Sequence, residues 1–528
     1  HVPAYATKPA DGACYLIKMK DVQLGFLNQQ NQIYAEMGIA RRESFSGDSR
    51  NDAAYDRKKQ LLEQQIHASE GLRAAGDLMV AAFFAGSKPR ERADKQQVYL
   101  AMLSGAFGDD GLRDNIKEIR QELAVGEKGI RPLHWDLEFP EVFSGERGGF
   151  DVFVGNPPFV GNNGFTSFYP DGILDFLRRL FPGSGGRADY VVYFIRKCFE
   201  ELRGGGALGL ITTNKICQGD TRESGLEWIC CNDGSIFSSI RRLPWPGVAS
   251  VVVSIAHILK DIYTGPIFLD GKDATRINAF LLEGFTDVAP PALALNSGMT
   301  YTGVKTYSQS FLFDSSVDAD IETPGTPLPL PLAESLCKQY PSLVEFIRPY
   351  TGAEEVNASP THASRRMAIY FGNLSLDECN ERWPDLMQIL ELKVKPDRAS
   401  SRNAEVRAWP WWRYWRPRIE MFERLHNLEQ AIVTSASAVS HHMFSLVPSS
   451  IIFSQKCVVI TSSSELLLCA LQSLFHEEWS RLFGTTQGAS DALTYNATDV
   501  FCNYPFPSES YLRLSSEVPL WAKEFLIR

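Results

Sequence analysis

The chain has little of what marks several common protein classes. Its ten cysteines are scattered without a Cys-x-x-Cys pair, so neither a disulfide framework nor a thiolate metal site is predicted. No run of 18 apolar residues occurs, which argues against a membrane-spanning helix, and no signal peptide is visible. The formal net charge is −10, unlike that of chains that bind nucleic acid through a basic tail. We therefore expect a cytoplasmic protein without a metal site.

The 528 residues suffice for two or three domains. Residues 55–104 are predicted to be helical apart from a charged loop at 86–95, and 112–128 form a second charged helix. From 131 to 260 strands alternate with helices, as in a doubly wound α/β sheet. Pro-rich linkers after about 285 predict a separate α+β domain. The predicted parts are a mostly helical segment 1–130, an α/β core 131–284, an α+β domain 285–510 and a C-terminal tail 511–528.

The most informative segment is Asn156–Phe159, which reads Asn-Pro-Pro-Phe. It follows the apolar run Phe150–Gly155, which predicts a short buried parallel strand. Ligands of open α/β sheets bind beyond the carboxyl ends of such strands. Two prolines fix φ and stiffen the turn, so the amide oxygen of Asn156 and the carbonyl of Pro157 can act as two fixed acceptors. Phe159 offers a flat face for stacking.

The donor that matches two such acceptors is an NH₂ group on a planar system, such as adenine N6, cytosine N4 or a glutamine amide. The nitrogen of such a group is a poor nucleophile because its lone pair is delocalised. Acceptors that favour a positively charged nitrogen in the transition state would help it to attack. A proline-rich turn without any ligand is the alternative interpretation.

Several other stretches extend this motif into a family resemblance. The chain resembles the gamma-type amino methyltransferases that use S-adenosylmethionine. It is most similar to the large adenine-N6 DNA methylases of type IIG and type IIL restriction–modification systems, and to the BREX and DISARM phage-defence methylases. The resemblance is firm over about 130–260 and loose over 260–507. The segments that carry it besides Asn156–Phe159 are 134–143, 148–151, 187–194, 204–214, 218–220, 245–254 and 499–507.

The resemblance implies a Rossmann-like, doubly wound S-adenosylmethionine methyltransferase sheet with an α+β target-recognition domain at 285–510. It also implies S-adenosylmethionine as cofactor, and as partners double-stranded DNA and other subunits of a defence system. No carboxylate cluster typical of a nuclease stands out, so cleavage is not predicted. The implied catalytic residues are Asn156, Pro157, Pro158 and Phe159, and the implied cofactor-binding residues are Asp136, Asn156 and Asp189.

One element of the family pattern is not found. The family carries a glycine-rich cofactor loop of the type Asp-Pro-x-x-Gly-x-Gly, and the nearest stretch, 103–108, lacks its acidic residue and Gly-x-Gly pattern. Residues Arg203–Gly206 precede a predicted strand and read as a turn. The chain also begins with His rather than Met. We therefore expect these residues to be the carboxyl-terminal part of a longer enzyme.

A cluster of aromatic residues and arginines lies at 407–418, where four tryptophans and four arginines fall within twelve residues. Guanidinium groups match phosphates or guanine edges, and aromatic rings stack on unpaired bases. An aromatic core with arginines at its rim is the alternative. The neighbouring His441 and His442 are expected to form a surface pair. The predicted DNA-binding residues are Thr213, Asn214, Lys215, Arg365, Arg366, Arg407, Arg413, Trp415, Arg416 and Arg418.

The function that these observations favour is site-specific methylation of adenine N6 in DNA, with the target base flipped out of the duplex. Methylation of another planar amine, cytosine N4 or a glutamine amide, stays open. From a different class of protein, a non-catalytic DNA-specificity or scaffold subunit of a defence complex also fits the missing glycine-rich loop.

Overall fold

The computed structural model describes residues 37–39, 52–105, 110–143, 148–161, 164–246, 251–315, 322–487 and 492–507. The chain divides into two compact units between Val288 and Ala289. The roles assigned to the predicted segments 1–130, 131–284, 285–510 and 511–528 stay predictions, and the last segment lies outside the described residues. Within the described residues, no helix combines the length and hydropathy that crossing a membrane requires.

Three long helices lie between residues 52 and 124 of the first unit. Ala74, Leu78 and Ala82 of the first helix are buried in one cluster with Tyr99 and Ile116 of the next two. Among the described residues from 52 onward, the α-helices of this unit are α1 (Asp52–Phe84), α2 (Pro89–Gly105), α3 (Asp110–Ala124), α4 (Trp135–Glu138), α5 (Pro140–Phe143), α6 (Phe165–Phe168), α7 (Ile173–Leu180), α8 (Val191–Glu201), α9 (Gly219–Arg222) and α10 (Trp228–Cys230), with a π turn at Glu223–Glu227.

The predicted charged loop at 86–95 is wrong, because α2 begins inside it. Pro89 occupies the first turn of α2, where its missing N–H costs no helical hydrogen bond. The Glu91 carboxylate accepts hydrogen bonds from the backbone N–H groups of Ser87 and Lys88, at 2.9 and 3.1 Å. Local bonding thus stabilises a helix start in a segment whose charge alone indicated a loop.

A six-stranded mixed sheet forms the centre of the first unit. Its first two strands are parallel, and its third and fourth strands form an antiparallel pair next to them. The order across the sheet is β1-β2-β4-β3-β5-β6. The strands are β1 (Phe150–Gly155), β2 (Leu202–Thr213), β3 (Gly234–Pro244), β4 (Val252–Lys260), β5 (Ile267–Leu269) and β6 (Lys272–Ala274).

The two faces of this sheet are covered to different extents. On one face, Leu208 and Leu210 belong to a buried cluster that includes Ile195 of α8. On the other face, Val152 is 58% and Val154 is 84% exposed. The prediction that β1 is a buried strand is therefore wrong for these two valines, because β1 is the outermost strand of the sheet among the described residues. Its parallel pairing with β2 agrees with the sequence.

A glycine-rich irregularity fixes the register between β1 and β2. Phe150 pairs with Leu202, whereas Val152 pairs with Ala207, so β2 accommodates extra residues between the two pairs. The glycines at 204–206 allow this: Gly205 has φ +70°, and a Cβ on Gly206 would lie 2.8 Å from the Phe150 carbonyl oxygen. The segment predicted as a turn is instead a bulged part of the strand.

The second unit has a larger core built on two principal sheets and a short hairpin. The five-stranded sheet has the order β14-β10-β11-β8-β9, the four-stranded sheet β13-β12-β15-β7, and the hairpin pairs β16 with β17. The strands are β7 (Thr300–Thr302), β8 (Leu312–Asp314), β9 (Leu328–Pro329), β10 (Ile347–Thr351), β11 (Arg366–Ile369), β12 (Gln430–Ser435), β13 (Ser445–Pro448), β14 (Ile452–Phe453), β15 (Cys457–Ile460), β16 (Thr485–Gln487) and β17 (Ala492–Thr494).

Eight helices of the second unit lie within the described residues. Trp383 and Leu390 are fully buried in the main core, together with Phe313 of β8 and Phe453 of β14. The mixture of sheets and helices is the α+β architecture that the sequence predicts. The helices are α11 (Leu330–Gln339), α12 (Ala353–Ala358), α13 (Leu376–Arg382), α14 (Pro384–Ala399), α15 (Ala404–Ala408), α16 (Ile419–Leu425), α17 (Glu465–Leu471) and α18 (Leu474–Phe483).

Candidate functional site

Two predicted groups of site residues follow neighbouring parallel strands. Gly155 at the end of β1 pairs with Leu210 of β2, and β2 ends three residues later at Thr213. Because β1 and β2 run in the same direction, their carboxyl ends lie at one edge of the sheet. The turn Asn156–Phe159 and the segment Thr213–Lys215 therefore emerge side by side.

The Asn-Pro-Pro-Phe turn presents its polar and aromatic groups to solvent. Asn156 and Pro158 are exposed, Pro157 is buried, and Phe159 is 39% exposed. Among the described residues, no hydrogen bond involves the Asn156 side chain or the Pro157 carbonyl. The turn is closed by a hydrogen bond of 3.0 Å that Val160 N–H donates to the Pro158 carbonyl. The Asn156 side chain and the Phe159 ring are thus exposed to a ligand, whereas Pro157 is buried.

The start of α8 supports this turn from behind. Tyr190 N–H donates to the Val160 carbonyl at 3.1 Å, and the Tyr190 ring lies 5.1 Å from that of Tyr169. Burial, together with the hydrogen bond to Tyr169, raises the pKa of Tyr190 well above its usual value. The phenol is therefore neutral at physiological pH.

Asp189 is brought close to the same turn. Its side chain is buried, with 6% of the residue exposed, and its backbone N–H donates to the Thr221 hydroxyl at 3.1 Å. A Cβ built on Gly161 would lie 3.6 Å from Oδ1 of Asp189, so the carboxylate stands next to the residues that follow the motif. Its predicted role in cofactor binding stays a prediction.

The third predicted cofactor residue, Asp136, is exposed on α4. This helix is fixed to the first strand by its aromatic neighbour, because the Trp135 ring packs edge-on against Phe150 at 5.7 Å and Phe153 at 5.8 Å. The structure thus attaches the helix that bears Asp136 to β1. No described contact joins Asp136 to Asn156, and its role also stays a prediction.

The segment after β2 combines buried and exposed polar groups. Lys215 is exposed, and Asn214 begins a short 3-10 turn (Asn214–Cys217). The Thr213 hydroxyl oxygen is buried without a hydrogen-bond partner. Buried polar atoms normally have partners, so Thr213 holds unused hydrogen-bonding capacity at the carboxyl end of β2.

In the second unit, three of the predicted DNA-binding arginines make internal contacts. Arg366 forms an ion pair with Glu355 at 2.7 Å. Arg413 donates to the carbonyls of Asn373 and Leu374. These contacts give both side chains a structural role. Arg407 is exposed but donates to the Ser401 carbonyl at 2.6 Å, and Arg365 is exposed.

Two of the four tryptophans of the 407–418 cluster pack against the protein interior. Trp411 and Trp412 pack against the main core, and Trp412 Nε1 donates to the Leu374 carbonyl at 3.1 Å. Trp409 Nε1 donates to the Tyr414 carbonyl at 3.0 Å. For Trp411 and Trp412 the geometry agrees with the alternative of an aromatic core, whereas Trp409 is exposed.

Trp415 and Arg416 instead contact two residues that sequence reasoning missed, Lys305 and Tyr307. Lys305 Nζ lies 5.0 Å from the centre of the Trp415 ring, and the Tyr307 and Trp415 ring centres are 5.9 Å apart. More than 100 residues separate the two segments in sequence, so no local pattern could have linked them.

The expectation of a surface pair at His441 and His442 is wrong for the second residue. His441 is exposed and contacts Glu477 at 3.1 Å, whereas His442 is only 6% exposed. Burial lowers the pKa of His442 to about 4, so its ring is neutral at physiological pH. Within the part of the chain that the structure describes, no group of histidine, cysteine and acidic side chains could hold a metal ion.

The first unit thus combines a mixed α/β sheet with a polar turn beyond its first strand. Residues 92–233 match the family model of the Eco57I restriction-modification methylases. A search of curated proteins finds no match.

The fold is shared with a solved restriction–modification enzyme. The type IIL enzyme MmeI, solved in complex with DNA, matches with a TM-score of 0.53 and 19% identity over 68% of this chain and 46% of MmeI. A protein of Listeria monocytogenes described as a class I S-adenosylmethionine-dependent methyltransferase matches 22% of this chain and 32% of its own, with 21% identity and a TM-score of 0.18. The first match confirms the predicted fold class, and this chain spans less than half of MmeI.

S-adenosylmethionine is the cofactor that the family match implies, in agreement with the sequence expectation. The described residues fit it in part. The buried carboxylate of Asp189 stands beside the turn, and Thr213 offers an unpaired hydroxyl. A glycine-rich loop after a strand next to β1 does not occur among the described residues.

Proposed function

We propose that this chain is an S-adenosylmethionine-dependent, site-specific DNA adenine-N6 methyltransferase of a restriction–modification or phage-defence system. The observation that carries the proposal is the exposed Asn-Pro-Pro-Phe turn at the carboxyl end of β1. It lies within residues 92–233, which match the methylase family.

The geometry of the turn suits a flipped adenine. Extrusion of the base costs a few kcal/mol, which stacking on the exposed ring of Phe159 helps to offset. The N6 amino group then donates to the Asn156 amide oxygen and to the Pro157 carbonyl. When bound, S-adenosylmethionine would supply the methyl group and depart as the neutral thioether, and the methylated N6 would release one proton to solvent. As N6 acquires positive charge, the two fixed acceptors stabilise it, and the stiff prolines avoid the cost of reorienting them.

The second unit would bind the duplex and select the sequence. Arg365, Arg407 and Arg416 are its exposed arginines among those predicted. Arg365 and Arg416 would bind phosphates or base edges, and Arg407 would do so with the donors that its bond to the Ser401 carbonyl leaves. Arg366 and Arg413 would support this surface from within through Glu355 and the Leu374 carbonyl. Thr213–Lys215 of the first unit would contact DNA near the flipped base.

The test is methyl transfer from radiolabelled S-adenosylmethionine to duplex DNA of mixed sequence, followed by nucleoside analysis. We expect N6-methyladenine as the product. Asn156→Ala should lower the rate by about 100- to 1,000-fold, since removal of one fixed transition-state contact commonly has this effect. Its affinity for DNA should stay within about twofold of the original, because the residue contacts only the flipped base.

Asn357→Ala is the matched control, because Asn357 is an exposed asparagine on α12 and its loss should leave the rate unchanged. If the product is N4-methylcytosine, the substrate is the cytosine N4 amine and not adenine N6. Binding of both DNA and S-adenosylmethionine by the original chain without any transfer would contradict the proposed catalysis and favour the specificity or scaffold subunit. Loss of DNA binding in Asn156→Ala would show that Asn156 is structural.

A further inference from the structure

Three cations and two aromatic rings meet on the second unit, in a group named here the Lys305 cluster: Lys305, Tyr307, Trp415, Arg416 and Arg418. Lys305 Nζ lies 5.4 Å from the centre of the Tyr307 ring and 5.0 Å from that of Trp415. The Arg416 guanidinium lies 4.6 Å from the Trp415 ring centre. Cation–π contacts of this kind hold both positive groups in place.

The positive charges of this cluster are not neutralised. Among the described residues, no ion pair joins Lys305, Arg416 or Arg418 to a carboxylate. Burial, and then the charge of Arg416, lower the pKa of Arg418, and its Nε is buried without a hydrogen-bond partner. In a chain with a net charge of −10, like charges kept together without acidic partners indicate a site for an anion.

The backbone brings the two segments together directly. Lys305 and Arg416 exchange two hydrogen bonds of 3.2 Å each, N–H to carbonyl in both directions. Tyr307 at φ +63° and Arg418 at φ +56° adopt left-handed conformations. Non-glycine residues pay a cost for this conformation, and they often cluster at ligand-binding sites.

A buried arginine fixes the same two segments from the inside. Arg398 is only 2% exposed, and its guanidinium donates to the carbonyls of Thr306 at 2.8 Å, Pro410 at 3.1 Å and Arg413. The Tyr370 hydroxyl donates to the Pro417 carbonyl at 3.0 Å. The cluster is therefore a preorganised site rather than a set of mobile side chains.

The Trp415 ring is already in contact with two cations, and this indicates which kind of anion the cluster binds. The ring holds Lys305 and Arg416, so it positions cations rather than stacking on a base. We propose that Lys305, Arg416 and Arg418 form a clamp for the phosphate backbone of DNA, which contributes affinity and orientation but no sequence information. This inference rests on the proposed function, because it takes duplex DNA as the partner.

The test compares Lys305→Gln and Arg416→Gln with the original chain, using fluorescence anisotropy and two DNA probes. One probe is a pool of random-sequence duplexes, and the other carries the sequence found methylated in the transfer assay. Each variant should bind both probes about 3- to 10-fold more weakly, and by the same factor. The slope of log affinity against log salt should fall by about one for each cation removed.

Lys395→Gln is the control, because Lys395 is exposed and already paired with Glu391 at 2.7 Å. It should change neither affinity nor slope. Arg416 is exposed, so its variant stays informative even if Lys305→Gln folds poorly.

The outcomes separate the clamp from the proposed function. Unchanged affinity and salt slope in both variants, with normal binding by the original chain, would overturn the clamp alone. A loss confined to the methylated sequence would also overturn it, since that result indicates base readout. Failure of the original chain to bind either probe would overturn the proposed function together with the clamp.

Discussion

Asn156 of the first unit and Arg398 of the second unit differ in what their polar side chains do. In the first unit, Asn156 is exposed and has no hydrogen-bond partner among the described residues, at the end of an outer strand whose Val154 is 84% exposed. In the second unit, Arg398 and Lys393 are almost completely buried, and Arg398 is bonded to carbonyls. Residue type alone therefore does not distinguish a site from a scaffold; burial and partners do.

The largest effect on stability is expected from Arg398→Met. The substitution leaves the carbonyls of Thr306, Pro410 and Arg413 without their charged donor. Hydrogen bonds to charged groups contribute about 1.5–3 kcal/mol each, and we expect a loss of about 4 kcal/mol in the free energy of unfolding. For a unit of this size, Tm should fall by about 8–16 °C in calorimetry. Arg407→Met, on an exposed arginine, should leave Tm nearly unchanged; equal losses would remove the distinction between the two arginines.

A smaller effect is expected from pH. Burial lowers the pKa values of His442 and His476 to about 4, below the value of about 6.5 expected in the unfolded chain. Their contribution to stability is therefore complete above pH 6.5 and is lost as the pH falls towards 4. Between pH 7 and 5, each histidine should cost the second unit about 1–2 kcal/mol.

Thermal unfolding followed between pH 7 and 5 measures this loss. His442→Phe should make the pH dependence shallower, whereas His426→Gln, on an exposed histidine, should leave it unchanged. An identical pH dependence in all three chains would mean that the buried histidines do not carry it.

The smallest effect on stability is expected from Val154→Lys. The side chain is 84% exposed, so the free energy of unfolding should change by less than about 0.5 kcal/mol. An exposed apolar edge strand favours association with other chains, and lysine opposes it. Light scattering at increasing concentration should show less self-association than in the original chain or in Val98→Lys, which changes an exposed helical valine. Equal scattering would mean that the edge of β1 does not drive association.

The sequence predicted the fold most reliably where local signals and packing agree. The apolar run Phe150–Gly155 became a strand parallel to β2 because its periodicity and the following turn indicate the same structure. Its burial could not be predicted, since burial depends on what lies beside the strand. The helix start at Pro89 was missed because charge was weighed above the bonds of Glu91.

The candidate site was predictable only where its residues are adjacent in sequence. Asn156–Phe159 was found as a motif, whereas Lys305 could not be linked to Arg416, because only the folded chain pairs their backbones. The arginines at 365–366 and 407–418 look alike in sequence, yet Arg366 and Arg413 are used internally. Whether an arginine is available to a ligand depends on such partners, which composition does not reveal.

The glycine bulge between β1 and β2 constrains which changes of sequence would preserve the register of the two strands. Side chains alternate between the two faces of a strand, so a slip of one residue would exchange the faces of β1. Phe153 would leave the aromatic contact with Trp135, and the turn at Asn156 would move relative to Thr213. Gly206, where a Cβ would lie 2.8 Å from the Phe150 carbonyl oxygen, thus acts as a spacer that sets the distance between the two polar groups at the opposite end of the strands.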